Sequence, residues 1–153
     1  MTLSDLIQQT RFESPAQEAV LNVFATEAWL TGLLGAAFAD HGVTPSQFNV
    51  LRILRGHRPA PMTCSQIGDR LLDRTPDVTR LLARLERTGL VSRCRATHDR
   101  RAVEVSITEA GLAVLDRLDV PARNEVAHAA RHLSADELRL LASLLERLRQ
   151  DQT

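Results

Sequence analysis

Helix starts are written into this chain with unusual regularity, and they leave room for little other than a mainly α-helical fold. A Ser or Thr hydroxyl that can accept the first free backbone N–H groups, followed by a Pro whose φ suits the first turn, occurs at Ser14-Pro15, Thr44-Pro45 and Thr75-Pro76. Gln17 and Gln47 stand three residues after the first two caps, and the same spacing recurs without Pro at Thr63 to Gln66 and Ser134 to Glu137. With Thr108-Glu109 as a weaker start, six helices are marked.

The first is predicted over residues 15–40, closed at Gly42; Val20, Phe24, Trp29, Leu33 and Phe38 spread so far around it that a partner subunit is implied. The second, 45–55, stops at Gly56 before a loop with two prolines. The third, 64–72, turns Ile67, Leu71 and Leu72 inward. The fourth begins at residue 76, places Val78, Leu81, Leu82 and Leu85 on the core side at helical spacing, and ends at Gly89. The period then changes: residues 90–95 and 103–107 alternate and favour β-branched types around a polar tip, which predicts a β-hairpin. Helix returns at 108 and is expected to kink or break at Pro121, where an N–H is lost and the ring clashes. A last helix, 135–150, carries Leu138, Leu141, Leu145 and Leu148 at heptad spacing, again suggesting a partner helix.

A length of 153 residues suits one domain. The formal net charge is zero, which taken alone argues against a nucleic-acid partner. The distribution argues the other way: residues 1–51 hold one Arg against five acids, residues 52–101 twelve against five, and residues 102–153 six against nine. All 19 basic residues are Arg, a bias toward bidentate contacts with phosphate or guanine that genome composition explains equally well. Two cysteines, Cys64 and Cys94, and no signal-peptide start fit reduced thiols in a cytosol. The longest apolar run, 28–39, is short of the roughly 20 residues that span a bilayer, so a soluble, cytoplasmic chain is expected.

Short helix, tight turn, basic-faced helix and Arg-tipped hairpin, all in the basic third, make a winged helix-turn-helix. The turn is Asp73-Arg74, leading into Thr75. Asp77, Thr79, Arg80, Ala83, Arg84 and Arg87 cannot face the core, and Arg80, Arg84 and Arg87 form one stripe. A solvated face has the same appearance, and Arg84 has local alternatives in Glu86 and Asp77.

The segment from Asp77 through Arg84-Leu85-Glu86-Arg87-Thr88-Gly89-Leu90-Val91, with Arg93, Asp99-Arg100-Arg101 and Val105 to Gly111, resembles the MarR family of bacterial transcriptional regulators. Residues 44–54 and 133–148 extend the likeness over nearly the whole chain. The resemblance implies a single domain, 1–153, with dimerisation helices at 14–42 and 108–153 around a winged lobe at 44–107. It further implies a homodimer on a palindromic operator, most often a repressor, released by a small aromatic or anionic ligand. Thr79, Arg80 and Arg84 would then face the major groove and Arg100 and Arg101 the minor groove, with Asp99 orienting Arg101. Arg74 and Arg87 would meet phosphates, Thr75 would cap its helix and as a second role contact a base or phosphate, and Trp29 and Phe48 would border a ligand pocket.

His128 and His132, with Glu125 one turn earlier, have a spacing that can hold zinc, but the set is incomplete and no metal or other cofactor is expected. A redox switch through Cys64 and Cys94, or a winged helix that meets an acidic protein instead of DNA, are the alternatives. No P-loop, dinucleotide fingerprint or serine elbow occurs, so an enzyme is not expected.

Overall fold

The computed structural model describes residues 2–72, 77–95 and 103–150. The elements run α1 (Leu3–Ile7), α2 (Pro15–Ala39), α3 (Pro45–His57), β1 (Met62–Thr63), α4 (Cys64–Gly68), α5 (Val78–Arg87), β2 (Val91–Arg95), β3 (Val103–Ile107), α6 (Glu109–Ala130) and α7 (Ala135–Leu148). The fold is mainly helical with a small antiparallel sheet ordered β1-β3-β2.

The expected caps at Ser14, Thr44, Thr63, Thr108 and Ser134 all accept a backbone N–H three residues on. Those at Thr44, Thr63 and Ser134 are closed reciprocally by Gln47, Gln66 and Glu137. Thr2 and Asp5 form a further box that starts α1, a helix the capping pattern does not reveal because its third-position partner is Asp instead of Glu or Gln.

Several expectations need correcting. α3 continues through Gly56 to His57 and stops because Arg58 precedes Pro59 and takes an extended ψ of 147°. α4 ends at Gly68, so helical spacing no longer governs the residues after it: Leu71 turns into the core while Leu72 is 92 % exposed. α5 starts at Val78 with Asp77 as its cap, instead of at residue 76 behind Thr75. β1 is a third strand with no sequence signal, because two residues carry no visible alternation. α6 passes through Pro121 unbroken, since Val114, Leu115 and Leu118 before it and Ala122 after it are held against the core. Finally, the apolar run 28–39 understates α2: the whole 25-residue helix, with mean hydropathy 1.3 in its most apolar window, is long and apolar enough to cross a membrane by length and composition. Thr31 and the glycines do not interrupt it, and here it packs on α6 and α3.

The core is built by the end of α2, by α3 to β3 and by the first half of α6, with Phe38, Leu51, Met62, Leu82, Leu115 and Leu118 fully buried. Each such side chain contributes about 1.5–3 kcal/mol by leaving water. Beyond this core burial is sparse: Leu3 of α1 is buried, but α7 has no buried residue, and Phe24, Trp29, Leu140 and Leu148 are 64, 49, 59 and 56 % exposed.

Candidate nucleic-acid interface

The sequence of α5 splits it cleanly. Leu82 and Leu85 are fully buried and Val78 and Leu81 half-buried, while Thr79, Arg80, Ala83, Arg84 and Arg87 are exposed on the other side. The Arg80 N–H donates to Asp77 Oδ1 at 3.1 Å, which satisfies a first-turn donor and places a carboxylate at the positive end of the helix. At the other end the Gly89 N–H bonds the Glu86 carbonyl and the Leu90 N–H the Leu85 carbonyl, both at 2.9 Å, with Gly89 at φ +73°. That reversal needs glycine and directs the chain straight into β2.

None of Arg80, Arg84 and Arg87 forms an ion pair with another described residue. The local alternatives for Arg84 are engaged elsewhere: Asp77 caps the helix and Glu86 binds Arg93 on β2, at 2.7 Å through Nε and 2.5 Å through Nη2. The hydrogen bond to Glu86 holds the Arg93 guanidinium above its ordinary pKa. Three guanidiniums on one face are thereby left to bind an outside anion. β2 and β3 pair with Val91 opposite Ile107 and Arg95 opposite Val103, and β2 packs against α5. The remaining candidates, Arg74, Thr75, Asp99, Arg100 and Arg101, lie outside the described residues.

A second feature lies between the winged lobe and the long helices. Arg55 on α3 meets Asp119 on α6 through two hydrogen bonds, at 2.8 and 3.2 Å, with Asp116 at 3.8 Å. The Arg55 guanidinium holds the Asp119 carboxyl below the usual carboxylate range. This pair borders a groove of about 470 Å³ also lined by Phe48, Arg52, Ala122, Arg123 and Val126. The Arg52 guanidinium lies 5.9 Å from the centre of the Phe48 ring, and Arg123 Nε donates to the Asp119 backbone carbonyl. Phe48, expected to border a pocket, lines this groove; Trp29 does not. Sequence reasoning missed Arg52, Arg55, Asp119 and Arg123, whose only local signals are i,i+3 and i,i+4 spacings; the pairing itself spans 64 positions.

Asp119 is deprotonated more readily in the folded chain than in the unfolded one, so its contribution is present above about pH 4 and is lost as pH falls through the folded value. With each side chain one-third exposed, Asp119→Asn should cost about 1 kcal/mol at pH 7. Urea unfolding at pH 7 and pH 3 should show that difference shrinking toward zero at the lower pH; a constant difference would mean that charge is not its source.

Cys64 is half-buried and Cys94 exposed, both free, and β3 lies between the strand carrying Cys94 and the strand leading into Cys64. Among the described residues no group of three or more His, Cys, Asp or Glu side chains is placed to hold a metal, and His128 and His132 are exposed.

A short helix, an exposed basic helix after it and two antiparallel strands within a three-stranded sheet define the winged helix-turn-helix class. The profile described as MarR family matches residues 41–102. The uncharacterized HTH-type transcriptional regulator YkoM of Bacillus subtilis is 34% identical over 108 residues, covering 71% of this chain and 69% of YkoM. The crystal structure of a MarR transcription factor from Planctomyces limnophilus superposes with a TM-score of 0.69 at 40% identity, over 89% of this chain and 98% of that one. A mutant MarR of E. coli complexed with operator DNA superposes with a TM-score of 0.74 at 26% identity, over 82% and 89%. The chain belongs to the MarR family, whose members matched here are transcriptional regulators and not enzymes.

Proposed function

We propose that this chain is a sequence-specific DNA-binding transcription regulator that works as a homodimer, with α5 as its recognition helix in the major groove and the β2–β3 hairpin as its wing. The observation that carries this reading is the stripe of Arg80, Arg84 and Arg87, exposed and free of carboxylate partners among the described residues, on the second helix of the helix-turn-helix. Thr79 lies on the same face; Arg74, Thr75, Asp99, Arg100 and Arg101 belong to the same interface in this reading. The E. coli MarR complex with operator DNA supports it.

The homodimer is supported by the apolar surface of α2 and α7. Leu140, Leu144 and Leu148 on α7 and Phe24 and Trp29 on α2 are each about half exposed or more, a liability that a second copy of the same helices removes. Two-fold symmetry then sets two recognition helices about one helical turn apart on a palindromic operator. Bound there, the dimer would repress by excluding polymerase. A small aromatic or anionic effector suits the Phe48 groove, where Arg52 and Arg123 stand near Asp119 but make no close ion pair among the described residues. A protein of this kind acts in the cytoplasm.

Sedimentation of the full chain, alone and with a duplex recovered from a randomised pool, tests both parts. The free protein should sediment as twice the 17.0 kDa chain at micromolar concentration and form a complex of one dimer per duplex. A folded monomer would overturn the dimer; no selected duplex would overturn the DNA reading.

A further inference from the structure

Among the described residues, helix α5 and the hairpin are connected by the Gly89 turn and by the ion pair of Arg93 with Glu86. Arg93, the third residue of β2, reaches back to Glu86 in the last turn of α5, and its Nε and Nη2 both bond the same carboxylate oxygen, Oε2. The two side chains are 26 and 38 % exposed, so water weakens the pair without cancelling it. Arg93 stands opposite Val105, whose side chain is fully buried, so its strand is held by the ladder on one side and by the core on the other. Moving the Arg93 head group relative to α5 therefore means moving the hairpin. Glu86 itself is an awkward residue for this place: a carboxylate beside Arg84 and Arg87 opposes the approach of phosphates. A role other than charge is needed to account for it.

We propose that Glu86 and Arg93 are positioning residues for DNA recognition, their ion pair setting the angle between α5 and the β2–β3 hairpin so that helix and hairpin engage neighbouring grooves together. This rests on the DNA-binding reading above. Neither side chain has to touch DNA.

Glu86→Gln gives a test whose sign is informative. Removing a negative charge should tighten DNA binding if charge alone mattered; loss of position should weaken it. With a duplex selected from a randomised pool by the wild-type protein, Glu86→Gln is expected to bind about tenfold more weakly. Protection of purine N7 from methylation, which reports the major groove, should persist, while hydroxyl-radical protection at the flanks of the site is lost. The exchanged pair, Glu86→Arg with Arg93→Glu, should return affinity to within about threefold of wild type, because the same two groups meet with signs reversed. Unchanged or tighter binding by Glu86→Gln with an intact footprint would overturn the positioning role alone. Parallel loss of both protections would overturn it as well, since that pattern marks general destabilisation. Failure of the wild-type protein to select any duplex would remove the DNA reading and the positioning role with it.

Discussion

Gly111→Ala should destabilise the protein by about 3 kcal/mol or more, lowering Tm by roughly 6–12 °C for a chain of this size. Gly111 occupies the first turn of α6, where its N–H donates to the Thr108 hydroxyl at 3.1 Å. A Cβ there would stand 2.3 Å from the Leu90 carbonyl oxygen and 2.7 Å from Ile107 Cγ1. The Leu90 carbonyl cannot withdraw cheaply, because it accepts the Thr108 N–H at 3.1 Å and belongs to the turn that ends α5. The Thr108 hydroxyl also donates to the Gly89 carbonyl at 2.7 Å, so the end of the recognition helix and the start of α6 are stitched together at one point. Only a residue without a side chain lets the two backbones approach so closely. Gly56→Ala is the control: Gly56 lies inside α3 with nothing within 4 Å of where a Cβ would stand, so Ala should stabilise by about 0.5–1 kcal/mol through helix propensity. Thermal melts of the two variants should move in opposite directions. A stabilised Gly111→Ala would show that the junction is looser than its geometry.

Replacing Arg80 and Arg84 together by Ala should reduce affinity for a selected duplex by about a hundredfold or more, at about 1–3 kcal/mol for each side chain removed from the DNA. The slope of log K against log salt discriminates further, because each neutralised phosphate contributes about 0.9. If both side chains meet phosphates, a monomer would neutralise about two fewer phosphates and a two-fold dimer about four fewer. On that condition the flattening of the slope reports the number of subunits on the duplex, whereas base contacts by Arg80 and Arg84 would lower affinity with less change of slope. Fluorescence anisotropy across a salt series measures both quantities, and circular dichroism checks that the exposed substitutions leave α5 folded. Unaltered affinity with an unaltered slope would remove this face from the interface.

Much of the candidate interface is legible in the sequence because its causes are local. The inward set Leu82 and Leu85 and the outward set Arg80, Arg84 and Arg87 follow from 3.6-residue spacing alone, and all five stand where that spacing puts them. Leu72 shows the limit of the same logic: an inward position follows only if the helix continues, and α4 ends at Gly68, beyond which spacing carries no information. Asp77 takes the cap that Thr75-Pro76 announces, since two good capping residues two positions apart compete for the same start. The chemistry of Pro121 predicts a kink or a break; the helix continues through it, with Leu118 buried before it and Ala122 packed against the core after it.

What the amino-acid sequence determined by itself is therefore the presence of helices α2 to α7, the hairpin and the gathering of positive charge in the middle third, each set by residues no more than a turn or so apart. The tertiary structure alone decided that β1 joins the sheet, that Arg55 binds Asp119 across the groove, that Glu86 belongs to Arg93 instead of Arg84, and that position 111 admits only glycine. The physical reason is common to all four: capping and periodicity act within a few residues along the chain, whereas an ion pair, a strand partner or a backbone contact depends on which distant segment packing brings to within about 3–4 Å.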